Sequence, residues 1–208
     1  MSAPSAPAAA SPPPEPNPPP PAPPSRLARI RAAIAAHFGA HRQRDRWSFF
    51  WRITGEGLLA SIILIAAAAI VFAAASNVLR MDDRTDLKRM SAIQLIVLVC
   101  VVAPILETLL LQTLPVAIMR ACRQRFWIRV VASTGPFAAL HFPVSFSTGI
   151  GAGLAGGFYF AFTYVHWREK SLAHAIWMTA ATHAARNTIL VALLLLGRHL
   201  AALKTLPH

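Results

Sequence analysis

Hydrophobic residues fall into five long runs that short polar or basic segments separate. The runs cover roughly 54–76, 91–119, 127–147, 149–167 and 171–197. Several approach or exceed the roughly 20 residues that an α-helix needs to span a bilayer. The pattern predicts an all-α, polytopic helical membrane protein with about five transmembrane helices. The second and fifth runs are longer than a straight crossing requires, so we expect these helices to tilt, kink or extend past the membrane.

The composition supports a membrane protein and argues against a nucleic-acid partner. Hydrophobic residues make up 55% of the chain, charged residues only 13%, and the mean hydropathy is +0.49. The formal net charge of +12 would suit a nucleic-acid-binding protein. However, the basic residues flank the apolar runs, and the sequence contains no nucleic-acid-binding motif. We therefore expect lipids, and not nucleic acid, beside these charges.

The N-terminal part of the chain has two segments of different character. Residues 1–25 are rich in proline and contain few apolar side chains, which predicts a disordered, polyproline-like tail. Residues 26–53 are basic and carry apolar residues at helical spacing, namely Leu27, Ile30, Ile34 and Phe38. The second segment is therefore predicted to be an amphipathic juxtamembrane helix on anionic lipid headgroups. A basic linker that follows the positive-inside rule is an equal alternative.

Arginine clusters predict the orientation in the membrane. They precede the first run and recur at 120–129, which places the N-terminus in the cytoplasm and, after five spans, the C-terminus outside. The segment 77–90 fits this topology less well, because it is external and yet basic. The proline-rich composition suggests a bacterial source, and therefore an integral protein of the inner membrane.

Three ionisable residues on three different runs are predicted to share one depth. Glu107, His141 and His183 each lie twelve or thirteen residues from a basic anchor at the cytoplasmic end of their run, which is about 18–20 Å of helix. Asn187 follows His183 at i+4 and so faces the same way. Because ionisable residues inside a membrane usually mark function, we expect one site inside the bundle.

Other polar or small residues in the runs have a structural interpretation. His166 and His174, near the inner boundary, are predicted to be packing residues. The glycine-rich stretch 149–157 has small residues four positions apart, which lets its helix approach a neighbour closely. It cannot be a phosphate-binding loop, because such a loop needs a preceding strand.

Three motifs in order resemble those of a known family. Glu107 in APILETLLLQ, Phe137 and His141 in FAALH, and His183 and Asn187 in HAARN resemble the EExxxR, FxxxH and HxxxN/D signatures of the CPBP intramembrane proteases. This family includes the CAAX prenyl endopeptidases and the bacterial Abi-type proteins. The resemblance covers roughly residues 90–195. The domain plan is therefore a first transmembrane helix and loop over 54–90, the protease-like domain over 91–197, and a C-terminal tail over 198–208.

The first motif departs from the family pattern. Where the family has a second glutamate and an arginine, this chain has Thr108 and Gln112. The two positions are i and i+4, so a neutral hydrogen-bonding pair is predicted in place of an ion pair. Because both charges are absent together, neither is stranded, and we interpret the site as a variant whose activity needs testing.

The resemblance implies an endopeptidase that acts on a membrane-embedded or lipid-modified protein or peptide. Glu107 would be the general base and His141 would hold the water, while His183 and Asn187 would donate hydrogen bonds to the oxyanion. Thr108, Gln112 and Phe137 would support them. A mechanism without cofactor is favoured over a zinc site of Glu107, His141 and His183, since no HExxH pair exists.

Two functions of other classes stay open at this point. A non-catalytic membrane scaffold or immunity protein could keep the same fold. A proton-coupled transporter could use the same ionisable residues, but the chain lacks the internal repeat that many transporters have.

Overall fold

The protein is represented by a computed structural model that describes residues 24–74 and 90–204. These residues form six helices and no β-strand. In chain order the helices are α1 (Arg26–Arg42), α2 (Arg46–Ala74), α3 (Ala92–Ala121), α4 (Phe126–His141), α5 (146–168) and α6 (Leu172–Lys204). The predicted all-α fold is confirmed. Most of the predicted tail and of the loop 77–90, together with residues 205–208, lies outside the described residues.

Among the described residues, three helices are long and apolar enough to cross a membrane. They are α2 over Arg46–Val71, α3, and α6 with 33 residues. This finding agrees with the predicted polytopic membrane protein. Helix α4 has 16 residues, or about 24 Å, which is less than the roughly 30 Å of a hydrocarbon core. It ends at His141, before the end of the third apolar run, because a turn over 142–144 follows.

The described residues divide into two compact units, with the boundary between residues 40 and 41. The first unit contains most of α1, on which Leu27, Ile30 and Ile34 are exposed. The segment is helical, and its contact with lipid headgroups stays a prediction. The second unit holds all the other helices and, as described below, all the candidate site residues.

Helix α3 is continuous, but its hydrogen-bond register changes along its length. Two π-helical stretches, Leu95–Val102 and Thr108–Thr113, flank the α-helical segment Ala103–Glu107. In π-helical turns the backbone N–H bonds five residues back, and the Ala103 N–H accordingly bonds to the Leu98 carbonyl. Such turns occur frequently at functional sites. Glu107 is the last α-helical residue before the second π-helical stretch.

Glycines allow α5 to approach α4 closely. A Cβ atom on Gly153 would lie 2.9 Å from the Cα of Ala138, and one on Gly157 would lie 2.9 Å from Cδ1 of Phe137. Both distances are shorter than a side chain tolerates. The packing interpretation of the stretch 149–157 is therefore correct. The close approach positions the last two turns of α4, which include Phe137 and His141.

Candidate active site

One cavity of about 370 Å³ is lined by side chains from α3, α4, α5 and α6. Its polar lining includes Glu107 from α3, His141 from the end of α4, and His183 and Asn187 from α6. The structure thus brings together the four residues that the sequence singled out. Most of the remaining wall is apolar, with Leu95, Val99, Leu111, Leu140, Val144, Leu190, Val191 and Leu194.

Glu107 is half-buried in this cavity. Its Oε2 atom is fully buried and receives no hydrogen bond from the described residues. The same atom lies 3.7 Å from Nε2 of His183. This distance is too long for a direct hydrogen bond. Two polar groups separated by more than 3.5 Å are commonly bridged by a water molecule. The carboxylate is therefore placed where a water molecule could contact both side chains.

Aromatic side chains and one backbone carbonyl orient the two histidines. Nδ1 of His141 lies 2.8 Å from the Phe137 carbonyl oxygen, and because a carbonyl only accepts, Nδ1 carries the proton. In the neutral ring, Nε2 then holds the lone pair. Phe137 stacks on His141 at 4.6 Å and meets the ring of His183 edge-on at 5.6 Å. Phe160 stacks on His183 at 4.1 Å, so both imidazoles are held in fixed planes.

The position of Asn187 follows from the π-helical register of α3. In that register, the acceptor Val99 would pair with the N–H of the residue five positions later, which is Pro104. Proline has no N–H, so the Val99 carbonyl lacks this backbone donor. Nδ2 of Asn187 donates to the Val99 oxygen at 2.9 Å. One N–H of the Asn187 amide is thereby bonded to α3. The same side chain also lines the cavity, where its second N–H is the remaining donor.

The predicted hydrogen bond between Thr108 and Gln112 is wrong. Both side chains are buried, but Thr108 Oγ1 forms no hydrogen bond with the described residues. Oε1 of Gln112 instead accepts from the hydroxyl of Ser133 on α4. The bond to Ser133 directs the Gln112 oxygen towards α4, and the stretch itself is π-helical, with hydrogen bonds that link residues five apart. Thr113 shows this register, because its hydroxyl donates to the Thr108 carbonyl at 3.1 Å.

The structure adds one residue to the site that the sequence interpretation missed. Arg186 lies within HAARN, between His183 and Asn187, and it lines the same cavity. The available signal was a charged residue in the middle of an apolar run. By contrast, His166 and His174 are not among the residues that line the cavity. His166 is buried against Phe49 at 4.9 Å, which suits the packing role predicted for it.

Helices α3 to α6 thus define a helical membrane protein with a mostly apolar cavity inside its bundle, whose polar groups are an acid, two histidines, an amide and a guanidinium. Residues 89–189 match the family model described as type II CAAX prenyl endopeptidase Rce1-like. Over this region the chain is similar to that family, a family of proteases, and the resemblance to the CPBP proteins is confirmed. All four predicted site residues lie within the match. No curated protein and no solved structure matches the chain.

Proposed function

We propose that the protein is an intramembrane endopeptidase that hydrolyses a peptide bond in a membrane-associated protein or peptide. The observation that carries this proposal is the single cavity in which Glu107, His141, His183 and Asn187 meet. Its location within the region that matches a protease family supports the same function. The cavity also has the size range and the mixed lining of sites that bind small molecules or chain segments.

In the proposed reaction, Glu107 is the general base. Its carboxylate takes a proton from a water molecule while the water oxygen bonds to the scissile carbonyl carbon. His141 accepts a hydrogen bond from that water through Nε2, since its Nδ1 proton is held by the Phe137 carbonyl. A positioned base of this kind typically contributes 10²–10⁴-fold to the rate.

His183 and Asn187 stabilise the tetrahedral intermediate. Both donate N–H groups to the carbonyl oxygen as it becomes negatively charged, and Asn187 is held in place by its other bond to Val99. When the intermediate collapses, the C–N bond breaks and the leaving amine takes the proton from Glu107. The products are one peptide with a new carboxylate and one with a new amine.

We propose that no metal ion takes part. The alternative is a zinc ion bound by Glu107, His141 and His183, which are chemically suitable ligands. In the metal-free mechanism Nε2 of His141 and the Glu107 carboxylate contact water, whereas in the zinc mechanism the same atoms bind the ion. Activity that survives exhaustive chelation supports the first.

The test is cleavage by the purified full-length protein in liposomes. The substrate is a fluorogenic peptide anchored by a lipid chain or by a transmembrane segment, because the cavity walls are mostly apolar. We expect cleavage at one bond, unaffected by 1,10-phenanthroline. Loss of activity with the chelator and its recovery with Zn²⁺ would favour the zinc site. A folded protein that cleaves no anchored peptide would favour the scaffold or immunity protein.

We further propose that the protein resides in a bacterial inner membrane with its N-terminus in the cytoplasm and α1 on anionic lipids. The arginine clusters before the first span and at 120–129 support this orientation. A reporter that is active only in the cytoplasm, fused after His208, should therefore be silent. A strong signal from this fusion would show that the number of crossings is even.

A further inference from the structure

Ser133 is a buried hydroxyl residue on α4 that has no role in the hydrolytic steps described above. It is 0% exposed, and it is not among the residues that line the cavity with Glu107. It lies four residues before Phe137 and eight before His141. Residues four apart are neighbours on the surface of a helix, so these three side chains follow the same side of α4.

The Ser133 hydroxyl faces two acceptors on α3. Its Oγ atom lies 3.0 Å from the Leu111 carbonyl oxygen, and it also donates to Oε1 of Gln112. A hydroxyl group has one proton, so the two acceptors share it. Both acceptors belong to the π-helical stretch Thr108–Thr113. Ser133 therefore ties α4 to the part of α3 that directly follows Glu107.

The sequence of α3 makes one of these acceptors available. In an α-helix the Leu111 carbonyl would pair with the N–H of the residue four positions later, which is Pro115. Proline has no N–H, so a side chain can supply a donor in its place. Ser133 and Gln112 are both buried, and a hydrogen bond is stronger in such surroundings than in water. The link between the two helices is therefore well fixed.

Each end of this link lies close to a residue of the proposed active site. On α3, Leu111 follows Glu107 by four residues and lines the same cavity. On α4, Ser133 precedes Phe137 by four residues, and the Phe137 carbonyl lies 2.8 Å from Nδ1 of His141. Hydrolysis needs its reacting groups in register, and a misplacement of about 1 Å can lower a rate about 100-fold.

We propose that Ser133 is a positioning residue for hydrolysis. By bonding α4 to α3, it fixes the separation between Glu107 and His141, which contact the same water molecule in the proposed reaction. This inference rests on the proposed function and adds to it a residue outside the cavity. Because Ser133 does not line the cavity, its loss should affect the chemical step more than substrate binding.

The test measures kcat and KM separately, for the lipid-anchored peptide in liposomes and per folded protein. Ser133→Ala should lower kcat by about 10- to 100-fold, the usual cost of losing a residue that orients a catalytic group. KM should stay close to the wild-type value. Ser133→Thr keeps the hydroxyl and should recover most of the lost kcat. Gln112→Met removes one acceptor from α3, and its effect should be less than additive with that of Ser133→Ala.

The neighbouring residue Thr134 supplies a matched control. It is also buried on α4, but its hydroxyl donates to the Val130 carbonyl of the same helix at 2.9 Å and so makes no link to α3. Thr134→Val should keep the wild-type kcat. A wild-type kcat in Ser133→Ala, or an equal loss of kcat in Thr134→Val, would overturn the proposal. If Ser133→Ala does not fold, Gln112→Met answers the same question, and a wild-type kcat there would also overturn it.

A distance measurement separates this inference from the proposed function. After the two native cysteines are replaced with alanine, spin labels are attached at Leu106→Cys, next to Glu107, and at Val131→Cys on α4. Both positions are exposed, at 51% and 65%. Ser133→Ala should shift or broaden the distance distribution measured by electron paramagnetic resonance, and Thr134→Val should not. An unchanged distribution in Ser133→Ala would overturn the role of Ser133, whereas absence of cleavage by the wild-type protein would contradict only the endopeptidase function.

Discussion

Glu107→Gln should reduce the rate of peptide hydrolysis by roughly 10²–10⁴-fold and leave the protein folded. The substitution removes the general base, and a positioned base contributes a rate factor of this size. Glutamine is nearly isosteric with glutamate, so α3 should pack as before. An amide nitrogen, however, cannot take a proton from water at neutral pH. The measurement is kcat for the lipid-anchored peptide in liposomes, with helical content and Tm recorded for both proteins.

A matched control keeps this result specific. Glu169→Gln makes the same chemical change at an exposed carboxylate that pairs with Arg42 at 2.6 Å, outside the cavity. We expect kcat within about twofold of wild type there, since exposed ion pairs contribute little. His141→Ala should show a defect similar to that of Glu107→Gln. Full activity of Glu107→Gln would show that the carboxylate has only a packing role, and it would exclude the proposed mechanism.

The helices and the common depth of three candidate site residues could be predicted because both depend on simple periodicities. Apolar runs of the right length identify helices, and equal spacing from basic anchors places Glu107, His141 and His183 at one depth. The structure places all three side chains on one cavity. The end of α4 could not be predicted in this way, because the helix ends at His141 and the apolar run continues. Hydropathy cannot detect a turn whose residues are themselves apolar.

The details of the site depend on backbone register, which the sequence pattern does not encode. Stretches of π-helix and α-helix have the same composition, so the change of register at Thr108 could not be predicted. The predicted i, i+4 partnership between Thr108 and Gln112 is also wrong, because Ser133 on α4 bonds to Gln112 instead. The same limit hid the bond from Asn187 to Val99, which connects residues that are far apart along the chain.

Arg186 was overlooked for a different reason. Its sequence signal, a charged residue inside a span, was as strong as that of Glu107. The family signature assigns no role to that position and includes only the histidine and the asparagine on either side. Only the contacts with Ser61 and Gly151 show that the side chain points into the bundle.

Asn187→Ala should lower kcat by roughly 10²–10³-fold, the usual effect of removing one donor from an oxyanion site. His183→Ala should have an effect of similar size, because His183 donates to the same oxygen. The matched control is His174→Ala, on the same helix, where the exposed imidazole contacts Ser171 and lies outside the cavity lining. We expect that variant to keep wild-type kcat. A kcat for Asn187→Ala within threefold of wild type would exclude Asn187 from the oxyanion site.

Pro104 on α3 should also affect activity through Asn187. Because proline has no N–H, the Val99 carbonyl stays available to the Asn187 amide. In Pro104→Ala the new N–H can bond to the Val99 carbonyl and compete with the Asn187 amide. We expect kcat to fall by about tenfold, a size typical of removing a positioning contact. In the Asn187→Ala background the same substitution should have almost no further effect, because nothing remains to be positioned. The effects of two residues that act through one contact are not additive in a double-mutant cycle. An equal loss of kcat from Pro104→Ala in the wild-type and Asn187→Ala backgrounds would therefore show that Pro104 affects activity by another route.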